Sequence, residues 1–581
     1  MSVPMTVPRL DLVFLWHMHQ PDYRDRASGD FAMPWTYLHA LKDYTDMAAH
    51  LERHPGIRAV VNFVPVLLDQ IEDYVQQFAT AQLQPENFRD PLLRLLAAPD
   101  LDRLEATERG FLLEACFRCN HATMLVPFPR YHRLHELYEA LAREGPAVLA
   151  YLSGAYLADL VTWYHLAWTG ESERRRNPQL VELMAKGEGY SHADRRKLLT
   201  CIGAALADLM PRYRALQARG QIEVSTTPYS HPLAPLLLDF HAARESLPDA
   251  VLPLAEQYPG GRERVGRQLE MARLSHAERF GSDPVGMWPA EGALSTPFVQ
   301  LAGAAGCRWL ASGENVLQLS LGKPTPGAAY QPWQLAGTPG VTLFFRDDRL
   351  SDLIGFEYAK WHGRDASAHF VAQLEAIAAA APQGTTPVVS VILDGENAWE
   401  TYPYNGHYFF EDLYGLLEAH PTIRTRTFAD VIESMTNSAV SPAPTLQKLT
   451  AGSWVHGTLS TWIGDPAKNH AWDLLCAAKQ SYDRVMTDDR LSAEEKSAAA
   501  AQLTVCESSD WFWWFGDYNP APAVAGFDRL FRQNLASLYR CLHLSPPAQL
   551  AVPIAAGRAD TAGIAVGGTM RRAGDHAAQS T

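Results

Sequence analysis

The chain has 581 residues, 47% of them hydrophobic and 20% charged, with a formal net charge of −15. It is longer than one ordinary domain and carries enough apolar material for a large core without disulfide or metal staples. So acidic a chain tracks neither a phosphate backbone nor an anionic lipid surface, which argues against nucleic acid and membrane as partners, whereas a neutral polysaccharide carries no such electrostatic cost.

The first 10 residues lack a basic stretch followed by an apolar run, and no segment reaches the about 18 apolar residues of a membrane span. A cytoplasmic protein is expected. Asp11–Trp16 (DLVFLW) reads as a buried strand that runs into a polar cluster holding His17, His19 and Asp22. Arg58–Leu67 reads as a second strand. Residues from about 85 to 218 have Leu, Ala, Glu and Arg at helical spacing and read as a long helical insertion. Within them Cys116 and Cys119 form a C-x-x-C with no second pair; together with the odd total of seven Cys, this points to buried thiols rather than a metal or redox site. Strands resume at Ile222–Thr226, Pro284–Trp288, Cys307–Ala311, Val341–Phe345, Val388–Leu393 and Ile423–Phe428, several separated by helical stretches. This alternation predicts an α/β fold with a parallel sheet, closed into a barrel. Thr436–Leu446 is a Ser/Pro/Ala-rich breaker. Beyond it Ala471–Thr487, Ala493–Leu503 and Ala523–Leu542 read as a helical bundle. The segments are thus a barrel over 9–435, a helical domain over 447–550 and a disordered tail over 556–581.

In parallel α/β folds chemistry sits where strands end at the carboxyl face. Here one strand is followed by Trp288-Pro-Ala-Glu291-Gly and another by Asp394-Gly-Glu396-Asn397-Ala-Trp399-Glu400. An isolated Asp after a strand is most simply a helix cap. Two acidic clusters interleaved with Trp suit a sugar site better, because glycoside transfer needs one carboxylate to attack the anomeric carbon and another to protonate the departing oxygen. The Gly after Glu291 would let substrate come close. The composition, with 15 Trp, 22 Tyr and 22 Phe, supplies faces for sugar rings to stack on.

Five blocks in order resemble those of glycoside hydrolase family 57, especially its amylopullulanase-like and α-amylase-like members: HMHQP (His17–Pro21), GQIEVSTTPYSHPLAPLL (Gly220–Leu237), GMWPAEGALS (Gly286–Ser295), VILDGENAWE (Val391–Glu400) and CESSDWFWWFGD (Cys506–Asp517). The stretch Ala451–Leu475 is also similar to one in amylopullulanase-like members. The fifth block departs from the pattern at Cys506, where a small residue is expected. The resemblance implies a distorted seven-stranded (β/α) barrel followed by a helical domain that lends Asp510 and its Trp neighbours to the barrel's rim. It implies an α-glucan or maltooligosaccharide substrate and a retaining double displacement without cofactor. Glu291 would be the nucleophile and Asp394 the general acid/base, with their carboxyl groups roughly 5–5.5 Å apart. It further implies that His19, Glu223, Glu396 and Asp510 line the cleavage subsite. With that reading, His17, His19 and His231 can meet sugar hydroxyls, and Trp288, Trp399, Trp511, Trp513 and Trp514 are stacking candidates, of which the crowded W-F-W-W run must give at least one to the core.

Three other readings compete. A 4-α-glucanotransferase or branching enzyme would use the same intermediate with a sugar as acceptor. A zinc enzyme of deacetylase or mannosidase type would use His17, His19 and Asp22 as ligands, although two His two apart on a strand face opposite ways unless the strand has ended. A non-catalytic glucan-binding protein would not need both carboxylates.

Overall fold

The computed structural model describes residues 10–80, 82–437, 443–488, 490–516 and 518–557. The expected tail falls outside the described residues beyond 557, as does part of the expected breaker, residues 438–442.

Seven parallel strands form a closed ring: β1 (Leu10–Met18), β2 (Ala59–Phe63), β3 (Ile222–Thr226), β4 (Gly286–Met287), β5 (Trp309–Gly313), β6 (Thr338–Arg346) and β7 (Val388–Asp394). The register runs Leu15 to Val60, Val60 to Glu223, Thr226 to Met287, Met287 to Leu310 and Leu310 to Leu343. Arg346 beside Ser390 and Ile392 beside Leu15 close it.

The expected eighth strand is only Ile423–Thr425, paired with the start of β1 off the ring. The second expected strand ends earlier than its apolar run suggests. Pro65 opens a helix, Pro65–Phe78, and a helix's first position suits a residue without an N–H. Helices fill the chain between β2 and β3, ending in His192–Ala218. After the barrel come Pro466–Met486, Ala493–Cys506, Asp510–Trp514 and Ala521–Cys541.

Period-two alternation sorts the strand residues into two cores. Leu12, Phe14 and Trp16 pack outward against the helices. Val13 and Leu15 point inward with Val60, Trp309, Phe344 and Ile392. The helix Phe428–Asn437 plugs the amino end of the barrel with Phe428, Val431 and Ile432. Continuing the inward phase past Leu15 and Ile392 puts His17 and Asp394, which are register partners, at the open carboxyl end.

All seven cysteines are free thiols and six are buried, as expected. Among the described residues no helix is long and apolar enough to cross a membrane.

Candidate active site

A cavity of about 600 Å³ opens at the carboxyl end of the ring, and Glu291, Asp394 and Glu396 line it together with His17, His19 and His231. Asp394 is the last residue of β7, so sheet hydrogen bonds fix its backbone. Glu291 is held differently. Strand β4 is only two residues long, and Glu291 lies past Pro289 in the left-handed region, with φ 58° and ψ 22°. A non-glycine residue there stores about 1–3 kcal/mol of strain and persists only where its surroundings over-determine it. Here they do. Trp454 N–H donates to the Glu291 carbonyl at 3.1 Å, and Leu294 and Gly452 exchange two backbone hydrogen bonds. Gly292, also at positive φ, brings the loop down onto Trp288; a Cβ there would sit 2.6 Å from the indole. The glycine thus serves loop packing, a correction to the expectation that it makes room for substrate.

The Trp454 indole Nε1–H donates to Glu291 Oε2 at 3.0 Å. Glu291 Oε1 is buried without a hydrogen-bond partner. Burial pushes the Glu291 carboxyl well above its ordinary range, and the charge of Asp394 pushes it further, against the Trp454 hydrogen bond. Burial also raises Asp394 to about 7, partly offset by the Asn397 amide, which donates to Oδ2, and by the Arg346 guanidinium. Burial thus favours the protonated form of both carboxyls, and the charge of Asp394 adds to this only at Glu291.

The histidines form a relay whose tautomers follow from its ends. The Asn62 amide N–H₂ donates to Ser225 Oγ and the Thr226 carbonyl, so its Oδ1 accepts from His17 Nδ1–H at 2.7 Å. His17 Nε2 therefore carries a lone pair and accepts from His231 Nε2–H at 3.2 Å. His231 Nδ1 then accepts from Ser509 O–H at 2.9 Å. Burial pulls His17 down to about 3 and His231 well below its ordinary range, so both imidazoles are neutral. Both ring nitrogens of each are committed to protein, so neither has a donor left for a sugar hydroxyl, a correction to that expectation. His19 lies one residue beyond the end of β1, which is why it shares a side with His17, their rings 5.8 Å apart. Its Nε2–H donates to Asp510 at 2.9 Å. Burial holds His19 down to about 3 and raises Asp510, so this is a hydrogen bond from a neutral imidazole rather than an ion pair. His19, His231 and Asp510 offer three ligand atoms within 4.8 Å of one another, and a metal ion there would have to break that bond.

The post-barrel segment completes the site. Ser509 N–H donates to the carbonyl of His231, another left-handed residue with φ 59°, and Pro232 bridges Ser508. Both strained loops, at 231 and 291, are therefore clamped by chain beyond residue 450. Trp513 and Tyr518 line the cavity from this segment.

Several expected site residues are elsewhere. Glu223 is the second residue of β3, at the barrel's closed end, where its oxygens accept from Trp309 Nε1 at 2.7 Å and from Ala429 N at 2.9 Å, capping the plug helix. Trp288, Trp399 and Trp511 are fully buried core residues; Trp399 packs on Trp16 and Phe410, and Trp511 Nε1 donates to the Val505 carbonyl. Trp514 stacks on Phe527. Asp22 is paired with Arg24. Asp510 does not line the cavity but orients His19, which does. Sequence reading missed Arg346 and Trp454, which stack on each other 5.3 Å apart at the cavity wall. Arg346 ends β6 and could have been found by the strand-end rule. Trp454 had no local signal beyond the Ala451–Leu475 resemblance.

The family model for glycosyl hydrolase family 57 matches residues 13–444. The chain belongs to this family. The fold of this GH57 enzyme is shared by a GH57 branching enzyme from Thermococcus kodakaraensis (TM-score 0.57, 14% identity, covering 92% of this chain and 90% of that one). It is shared by the α-amylase AmyC from Thermotoga maritima (0.55, 12%, 94% of each) and by a 4-α-glucanotransferase from Thermococcus litoralis (0.51, 13%, 93% and 61%). A comparison with curated proteins gives no match by sequence.

Proposed function

We propose that this GH57 enzyme is a retaining α-glucan-active hydrolase, with Glu291 as nucleophile and Asp394 as general acid/base. One observation carries the reading: two coupled, buried carboxyls from separate strand ends line one cavity, and one oxygen of Glu291 is left without a partner. Oε2 is occupied by the Trp454 indole, so Oε1 is the attacking atom. It adds to the anomeric carbon as Asp394 gives its proton to the leaving glycosidic oxygen. Asp394, now ionised, takes a proton from an incoming water, whose oxygen bonds to the anomeric carbon as the Glu291 ester breaks and releases the carboxylate. Burial favours the protonated form of Asp394, as an acid requires, and raises Glu291 too. The Trp454 hydrogen bond is the contact that works the other way and favours the ionised nucleophile. Trp454, Trp513 and Tyr518 offer aromatic faces along the cavity for glucose rings.

The same steps with a sugar hydroxyl in place of water give a 4-α-glucanotransferase or branching enzyme. A likeness in fold to the Thermococcus kodakaraensis branching enzyme as strong as that to the amylase keeps this second reading in play. Incubation with amylose, pullulan and maltotetraose, analysed by product size and linkage, tests the assignment. Only shorter products mean hydrolysis; longer linear products mean glucanotransfer, and new α-1,6 branches mean branching. No change in any of the three glucans overturns the substrate class.

A further inference from the structure

Outside the catalytic cavity, two i,i+4 pairs face each other across two packed helices. His50 and His54 sit on and at the end of Thr45–Arg53, and His407 and Glu411 on the first turn of His407–Glu418. Residues four apart share a helix face, so each pair presents both side chains to the other helix. His50, His407 and Glu411 each place one ligand atom, a ring nitrogen or a carboxylate oxygen, within 4.8 Å of the other two.

All three atoms are lone-pair acceptors aimed at a cation. The Arg53 guanidinium now fills that place: it donates to His50 Nδ1 at 2.7 Å, to His407 Nδ1 at 3.5 Å and to Glu411 Oε1. His54 stands beside this cluster. Its Nδ1 meets the Glu418 carboxylate at 2.9 Å, while its buried Nε2 makes no hydrogen bond and lies 3.6 Å from Glu411 Oε2.

We propose that His50, His407 and Glu411 form a three-ligand divalent transition-metal site of zinc type, its fourth position left to water, with Arg53 as a resident cation that the metal displaces. Imidazole nitrogens with one carboxylate suit zinc and its neighbours rather than calcium or magnesium. Ligands 2.0–2.1 Å from a tetrahedral ion are about 3.3 Å apart, so the three atoms must close by no more than about 1.5 Å. Arg53 has room to leave, because its side chain is 34% exposed.

The site has a structural consequence. His407 follows the loop that starts at Asp394, and Asn405 in that loop, at φ 54°, accepts from Lys42 and donates to Asp46 beside the same first helix. A metal would tie this loop to that helix a second time.

The test is a titration of metal-stripped enzyme with Zn²⁺ against a chromophoric chelator, repeated with Co²⁺ to read its visible d–d bands. We expect one equivalent bound at micromolar affinity or tighter, a tetrahedral Co²⁺ spectrum, and a Tm rise of about 2 °C at hundredfold excess over Kd. Arg53→Ala should bind about tenfold more tightly, because the competing cation is gone. His407→Ala and Glu411→Gln should lose the equivalent, and His231→Ala should keep it, which separates this site from the cavity histidines. Absence of binding in both wild type and Arg53→Ala, or binding that survives His407→Ala and Glu411→Gln, overturns the proposal.

Discussion

Trp454 holds Glu291 at both ends: its backbone N–H on the carbonyl at 3.1 Å and its indole N–H on the carboxylate at 3.0 Å. The first bond supports a left-handed residue, and the second selects which oxygen stays free. Trp454→Phe keeps the backbone bond and a ring against Arg346, but removes the indole donor. A hydrogen bond to a charged group contributes about 1.5–3 kcal/mol, so kcat/KM should fall about 10- to 100-fold. That bond lowers the Glu291 pKa, so its loss raises it, and the acid limb of the pH–rate profile should move to higher pH. An unshifted limb would show that the indole does not touch the working carboxylate.

Glu291→Gln removes the proposed nucleophile with almost no change in shape. Turnover of maltooligosaccharides should fall by at least about 10³-fold while the melting temperature holds or rises, since a buried, partly repelled carboxyl is replaced by a neutral amide. Near-wild-type turnover in a well-folded variant would remove Glu291 from the mechanism. In the wild type, NMR of the first-formed anomer should show retention, the outcome for carboxyl groups roughly 5–5.5 Å apart.

The strand ends were legible because apolar runs stopping at acidic or His residues have a physical cause: the inward phase of each strand must meet solvent at the open rim. His17, Glu291, Asp394 and Glu396 all followed from that rule. Glu223 did not, because an acidic residue at the start of a strand belongs to the closed end, where it caps a helix from 200 residues on. The tryptophans misled for a different reason. Trp288 and Trp399 stand in acidic clusters, yet a large ring next to a polar loop is also what seals a core, and sequence spacing does not tell which way it turns. Trp454 was out of reach because its role depends on chain 160 residues beyond Glu291 folding back across the loop.

The imidazole relay bears on metal dependence. His17 and His231 spend both nitrogens on protein partners, and His19 spends Nε2 on Asp510. Enzyme dialysed against a chelator, well below its melting temperature, should therefore keep its full rate. Running the assay also in His407→Ala removes any contribution from the two-helix site. A rate lost on dialysis in both backgrounds and restored by zinc would place a metal among His19, His231 and Asp510 instead.

As the proposed general acid, Asp394 should set the alkaline side of the activity. Burial raises its carboxyl to about 7, and as an acid it works only while protonated, so kcat/KM on glucan should decline as pH rises through about 7. Asp394→Asn should abolish that limb on an aryl α-glucoside whose leaving group needs no proton. Stability follows the same shift with a definite sign. The folded state binds this proton more tightly than the unfolded chain, whose ordinary value is 3.8, so stability is full below that value and is lost as pH climbs through about 7. The loss is about 4 kcal/mol at most. The melting temperature of Asp394→Asn relative to wild type should therefore rise between pH 4 and pH 8. A difference that stays flat across that range would mean that Asp394 titrates as an ordinary solvated carboxyl, and a solvated carboxyl could not hold the proton that the leaving oxygen requires.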